Sequence, residues 1–105
     1  MSDENDSFIK DFITLFLQNA PESIQALQQH LKKEEWEQMR QVAHKIKPSF
    51  NYLGLKNLHQ AAASIEEYTK QETKHHEIPG LIDLIVKTTK VAFKELESDI
   101  KLLTV

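Results

Sequence analysis

The stretch WEQMRQVAHKIKPSFNYLG, residues 36–54, decides how this chain folds. Its apolar side chains Trp36, Met39, Ala43, Ile46, Phe50 and Leu53 follow one another at steps of 3, 4, 3, 4 and 3, the seam of a helix packed against antiparallel neighbours. The spacing predicts a helix from near Glu34 to Gly54, whose freedom to take positive φ suits the position just past a helix end. At about 100° per residue, His44 projects roughly 130° from the centre of the seam, which points it at water. Arg40 and Lys47, four before and three after it, are its neighbours on the same helical surface.

Outward from this stretch the chain keeps the same rhythm. Phe8, Phe12, Leu15 and Phe16 form an apolar stripe, and Asn19, Pro21 and Glu22 read as a fresh helix start in which Asn19 caps and Glu22 closes a capping box. Residues 8–32 are then two short helices or one helix kinked at Pro21. A third helix is expected over about 56–72, with Leu58, Ala61, Ala62, Ile65 and Tyr68 on one side. The polar run from Lys70 to Glu77 reads as a loop, after which Pro79 opens a last helix at an early position where its missing N–H costs nothing. Ile82, Ile85, Val86, Phe93, Leu96, Ile100 and Leu103 supply that helix with a buried face. With only 2 glycines and 3 prolines and no alternating apolar pattern, the expected fold is all-α, an antiparallel up-down-up-down four-helix bundle with a short or kinked N-terminal helix. A chain of 105 residues can bury one modest core, so a single domain over residues 1–105 is expected, with residues 1–6 flexible.

Composition narrows the function classes. A net charge of −3 and a pI near 5.9 give no basic footprint for nucleic acid, and no apolar run approaches the roughly 18 residues of a membrane span. Partners are expected to be proteins. The absence of cysteine excludes a disulfide framework and a thiol nucleophile, and residues 1–7 are polar and acidic where a signal peptide needs a positive start and an apolar run. The expected location is cytoplasmic.

The exposed His44 is the first candidate for chemistry. A neutral imidazole nitrogen can attack a phosphoryl group, and a nearby cation stabilises charge on the equatorial oxygens during transfer. Lys47 is the best placed for that task, with Arg40 in support. Arg40, His44, Lys45 and Lys47 also fit an ordinary solvated helix face, and spacing alone leaves both readings open.

The residues themselves carry more. The run Ala43-His44-Lys45-Ile46-Lys47-Pro48-Ser49, followed by Leu53-Gly54 with the glycine ten residues after the histidine, resembles the signature of histidine phosphotransfer (HPt) domains. Phe16, Ala20-Pro21, Leu27, Leu31, Trp36, Leu58 and the Ile65-Glu66 pair are similar to the flanking helices of that family, so the resemblance covers roughly residues 8–70. It implies a phosphocarrier in a two-component phosphorelay, whose histidine takes phosphate from a receiver-domain aspartate and gives it to another. By this resemblance His44 is the phosphorylated residue, Lys47 the phosphate-facing cation and Gly54 the helix terminator. Receiver domains of response regulators or hybrid kinases are the implied partners, with no kinase activity, nucleotide site or cofactor in the chain itself, and any magnesium belongs to the receiver. One position departs from the pattern: the glycine usual after the lysine is Pro48 here. Proline cannot donate to the carbonyl four residues back, that of His44, so a local kink is expected; its ring also stands where the family's glycine leaves room for the receiver's loops, so Pro48 either bears on partner choice or simply bends the helix around the core.

A hairpin about Gly54 would bring residues ten after the turn near His44, which nominates Gln60, Ala63 and Ser64 as the partner-binding surface. His30 and His59 read as structural. His75 and His76 adjoin Glu77, but adjacent loop residues rarely converge on a metal, and no metal site is expected. A monomer is expected. The rival reading, from a different class, is a phosphate-inert helical-bundle adaptor that binds a partner through its surface.

Overall fold

The computed structural model describes the backbone of residues 2–103 and the side chains of residues 7–102. Four helices follow in order: α1 (Ser2–Lys32), α2 (Trp36–Tyr52), α3 (Lys56–Lys70) and α4 (Ile78–Leu103), with a single 3-10 turn over His75–Glu77 before the last. No strand occurs among the described residues. Helix α1 packs on α2 and α4, and α3 packs on the same two, so the helices circle one core in chain order, up-down-up-down. No described helix is long and apolar enough to cross a membrane.

The core follows from the helical stripes. Met39, Ala43, Ile46 and Phe50 of the α2 seam are buried, with Trp36 and Leu53 half-buried at its ends. Leu58, Ala61, Ala62 and Ile65 meet them from α3, and Ile82, Ile85 and Leu96 from α4, while Val86, Phe93 and Ile100 pack at the margin. The side chain of Leu103 lies outside the described residues, as do Met1 and the side chains of residues 2–6 in the segment expected to be flexible; the backbone of residues 2–6 is the start of α1.

Helix α1 departs from expectation. It runs unbroken through Asn19 and Pro21, so Asn19 is not a cap and the two-helix alternative does not hold. Ile13, Phe16, Ala20, Ile24 and Leu27 form one continuous buried stripe across that point, and this burial outweighs the single hydrogen bond that Pro21, on the exposed side, cannot make. Phe8 and Leu15 face water, and Phe12 stacks at 4.3 Å on the exposed Tyr52 at the end of α2.

Three helix ends close alike. At the end of α2 the N–H of Gly54 donates to Asn51 and that of Leu55 to Phe50, with Gly54 at φ 72°, a Schellman motif with its glycine in the left-handed region. The same pairs of bonds close α1 through Glu34 and Glu35, and the N–H of Thr73 donates to Tyr68 beyond α3. There the left-handed residues are Glu34 (φ 54°) and Glu72 (φ 53°), where L side chains are strained. These turns set α2 at Trp36 and end α3 at Lys70, each two residues inside the expected limits.

Candidate functional site

His44 stands on the outer surface of α2, its side chain 69% exposed, because the seam behind it is wholly taken up by core contacts. Its Nδ1 lies 2.5 Å from Oε2 of Glu66 on α3, and Lys47 donates from Nζ to the other oxygen, Oε1, at 2.6 Å. A carboxylate is only an acceptor, so Nδ1 carries the proton and, in the neutral ring, the lone pair is on Nε2. Glu66 itself is 16% exposed, held at the rim of the α2–α3 interface by the buried Ile65 beside it. Burial pushes the Glu66 carboxyl up, and the hydrogen bonds from Lys47 and His44 together outweigh it, so it titrates below its ordinary range.

The other expected residues are placed differently. Arg40 is turned back one helical turn to Glu37, donating from Nε at 2.9 Å and from a terminal nitrogen at 2.6 Å to the two carboxylate oxygens. Those bonds, with a weaker one from Gln41, lower the Glu37 carboxyl to about 2. Pro48 is exposed within α2, one turn beyond His44, and offers no N–H to the His44 carbonyl. Ala63 shares a hollow with Lys47 and Glu66, whereas Gln60 and Ser64 line one toward Leu81 and Leu84 of α4. The register of the hairpin brings Glu66 to His44, while Gln60 also lines a hollow beside Asn51 of α2.

Glu66 is the functional residue that local spacing missed. In the sequence it stands only within a family-like Ile65-Glu66 pair, which assigns it no role. The remaining histidines are engaged elsewhere: His30 bonds Glu35 at 2.9 Å, His59 is half-buried, and the His75 ring stacks on Trp36 at 4.1 Å while His76 stays in solvent. Among the described residues no group of three or more carboxylates and histidines is arranged to hold a metal ion.

An exposed histidine anchored at Nδ1 beside a lysine, on a four-helix bundle, points to one family in particular. The family model of the Hpt domain matches residues 11–103. The chain belongs to the Hpt family. None of the curated proteins and none of the solved structures matches it. Hpt domains are phosphocarriers of phosphorelays rather than kinases, they are helical bundles, and their family role implies interaction with receiver domains.

Proposed function

We propose that this Hpt protein accepts a phosphoryl group on Nε2 of His44 from an aspartyl phosphate of one receiver domain and passes it to an aspartate of another. The observation that carries this reading is the Glu66 carboxylate on Nδ1 of an exposed imidazole, which fixes the tautomer and ring orientation and leaves Nε2 as an accessible nucleophile. In the forward step the Nε2 lone pair forms the N–P bond as the P–O bond to the donor aspartate breaks, and the electron pair leaves with that carboxylate. No proton has to move. The ring becomes an imidazolium whose remaining proton, on Nδ1, is held against Glu66, and the reverse step regenerates the neutral ring.

Lys47 stands beside the reacting nitrogen's ring and, from its place on Glu66, supplies positive charge for the phosphoryl oxygens. Gly54 serves the same end indirectly, because it sets the turn that brings Glu66 into register with His44. The phosphate-inert adaptor has no use for a carboxylate that orients a surface imidazole, and the bundle's geometry therefore favours transfer. We also infer a cytoplasmic monomer, in keeping with a cysteine-free, acidic chain.

The test is to mix the protein with receiver domains charged with acetyl phosphate and to look for acid-labile, base-stable phosphate on it, with His44→Gln alongside. Label on the wild type and none on the variant is the expected result. Equal label on both moves the site away from His44.

A further inference from the structure

Phosphorylation of His44 creates a charge problem that the unphosphorylated site does not have. A phosphoryl group carries close to two negative charges at neutral pH, and Glu66 adds a third a few ångströms away. The imidazolium and Lys47 answer two of them, which leaves about one negative charge unmatched. Helices α2 and α3 carry four further cations, Arg40, Lys45, Lys56 and Lys70, and the structure separates them.

Arg40 is held to Glu37 by two charge-assisted hydrogen bonds, which would have to break before it could turn. Lys45 lines the opposite side of α2, in the groove shared with Phe12 and Ser49 of the α1–α2 flank. Lys56 starts α3, about ten residues before Glu66 and so at the far end of the helix. Lys70 is the exception. It lies one turn of α3 beyond Glu66, at the i+4 position on the same helical surface. It lines both the hollow of about 420 Å³ beside Arg40 and Thr69 and the hollow of about 310 Å³ beside Lys47 and Glu66, so it borders Arg40 and Lys47, the two cations that stand one turn to either side of His44 on α2. Its side chain is exposed and makes no hydrogen bond or ion pair among the described residues. Its long, flexible stem can therefore swing to a new anion without giving up a partner.

We propose that Lys70 is a second phosphate-facing cation, which contacts the phosphoryl group once it is on Nε2 of His44. This rests on the reading of His44 as the phosphorylated residue. Lys70 is idle before transfer, takes up the unmatched charge as the N–P bond forms, and releases it when the P–N bond breaks toward the next aspartate. Lys47 and Lys70 then approach the phosphoryl oxygens from α2 and α3 respectively, with Glu66 between them.

The experiment compares wild type, Lys70→Gln, Lys70→Arg and Lys45→Gln in phosphate uptake from a panel of receiver domains charged with acetyl phosphate, and follows the phosphorylated forms by ³¹P NMR across pH. The expected results are transfer slowed about tenfold in Lys70→Gln and largely restored in Lys70→Arg. The phosphoryl titration should move to higher pH in Lys70→Gln and stay in place in Lys45→Gln, a readout that a merely structural role would not shift. Circular dichroism should be unchanged, since the side chain is exposed. A wild type that takes up label while Lys70→Gln matches it in rate, or is slowed with its ³¹P titration unmoved, overturns the role of Lys70 and leaves His44 standing. A wild type that takes up no label from any receiver overturns the reading of His44, and the proposal with it.

Discussion

The two flanks of α2 are built from different physics. Toward α3, His44 and Lys47 converge on one carboxylate through hydrogen bonds of 2.5 and 2.6 Å, each of which depends on direction and register. Toward α1, Phe12, Leu15, Phe16 and Ile46 border a groove of about 190 Å³, and Phe16 meets Phe50 and Phe93 edge-on at 5.9 and 5.7 Å. Apolar burial is non-directional and tolerates such a groove; an imidazole that must present one nitrogen does not tolerate a half-turn error. The lesson is a division of labour along one helix. Substitutions on the apolar flank should act on stability, and those on the polar flank on the rate of transfer.

The strongest way to break that division is Phe50→Ala. Phe50 is fully buried against Phe16 of α1, and its truncation should cost about 3–5 kcal/mol, read as a lower urea midpoint. Transfer per folded molecule should change far less than stability does. If the rate collapses while the protein remains folded, the two flanks are not separable.

Pro48 stands on the solvent edge between the flanks, and the next effect in size is expected there. A proline inside a helix is disfavoured by about 3 kcal/mol relative to alanine and glycine by about 1, so Pro48→Gly should raise stability by about 2 kcal/mol. It also returns an N–H to the His44 carbonyl. Transfer rates measured against several receivers then decide whether the proline has a role in partner choice, and unchanged rates and preferences eliminate it.

Much of this arrangement was legible in the sequence, and the parts that were not have physical reasons. The α2 seam could be read because one buried face imposes a 3.6-residue period, and the exposure of His44 follows from that seam alone. The stop at Gly54 could be read because a left-handed residue is cheapest as glycine. Asn19-Pro21-Glu22 misled because capping and proline rules are local, whereas the stripe from Ile13 to Leu27 is held by two other helices. Glu66 was missed by a shift of two residues. Counting ten residues to either side of Gly54 put residue 64 opposite His44, whereas the carboxylate bonded to it is that of residue 66. Two residues are about 200° around a helix, enough to exchange the face toward α2 for the face toward α4.

On the polar flank itself, Glu66→Gln keeps an acceptor for Nδ1 of His44 but removes the charge that faces the imidazolium. Transfer should slow about tenfold, with a smaller change in stability near neutral pH. The pH dependence has a definite sign. The folded-state carboxyl lies below its ordinary value of 4.5, so the stability that ionised Glu66 contributes is complete above that pH and is lost as pH falls through the lower folded-state value. Urea titrations at a series of acidic pH values should therefore flatten in the glutamine variant. An acid limb identical to that of the wild type would mean that Glu66 is not bonded in solution as it is in the structure.

The turns that set the two flanks offer the smallest effect and the finest comparison. The polar flank is registered by Gly54 and the apolar flank by Glu34, at φ 72° and 54°, with the same two backbone bonds closing each turn. Only the residue type differs. A Cβ at position 54 would meet no atom within 4 Å, so Gly54→Ala reports backbone strain without a clash and should cost about 1 kcal/mol. Glu34→Gly relieves the same strain in the opposite turn and should raise stability by a similar amount, measurable as a shift in the urea midpoint. The rates should part company where the stabilities mirror each other. Strain at position 54 is felt by the pairing of His44 with Glu66, so Gly54→Ala should slow transfer beyond its effect on folding, while Glu34→Gly should leave transfer alone. If both variants leave the rate unchanged, the turn at Gly54 does no more for the site than hold the chain together, and the precision of the polar flank must come from the interface of α2 with α3.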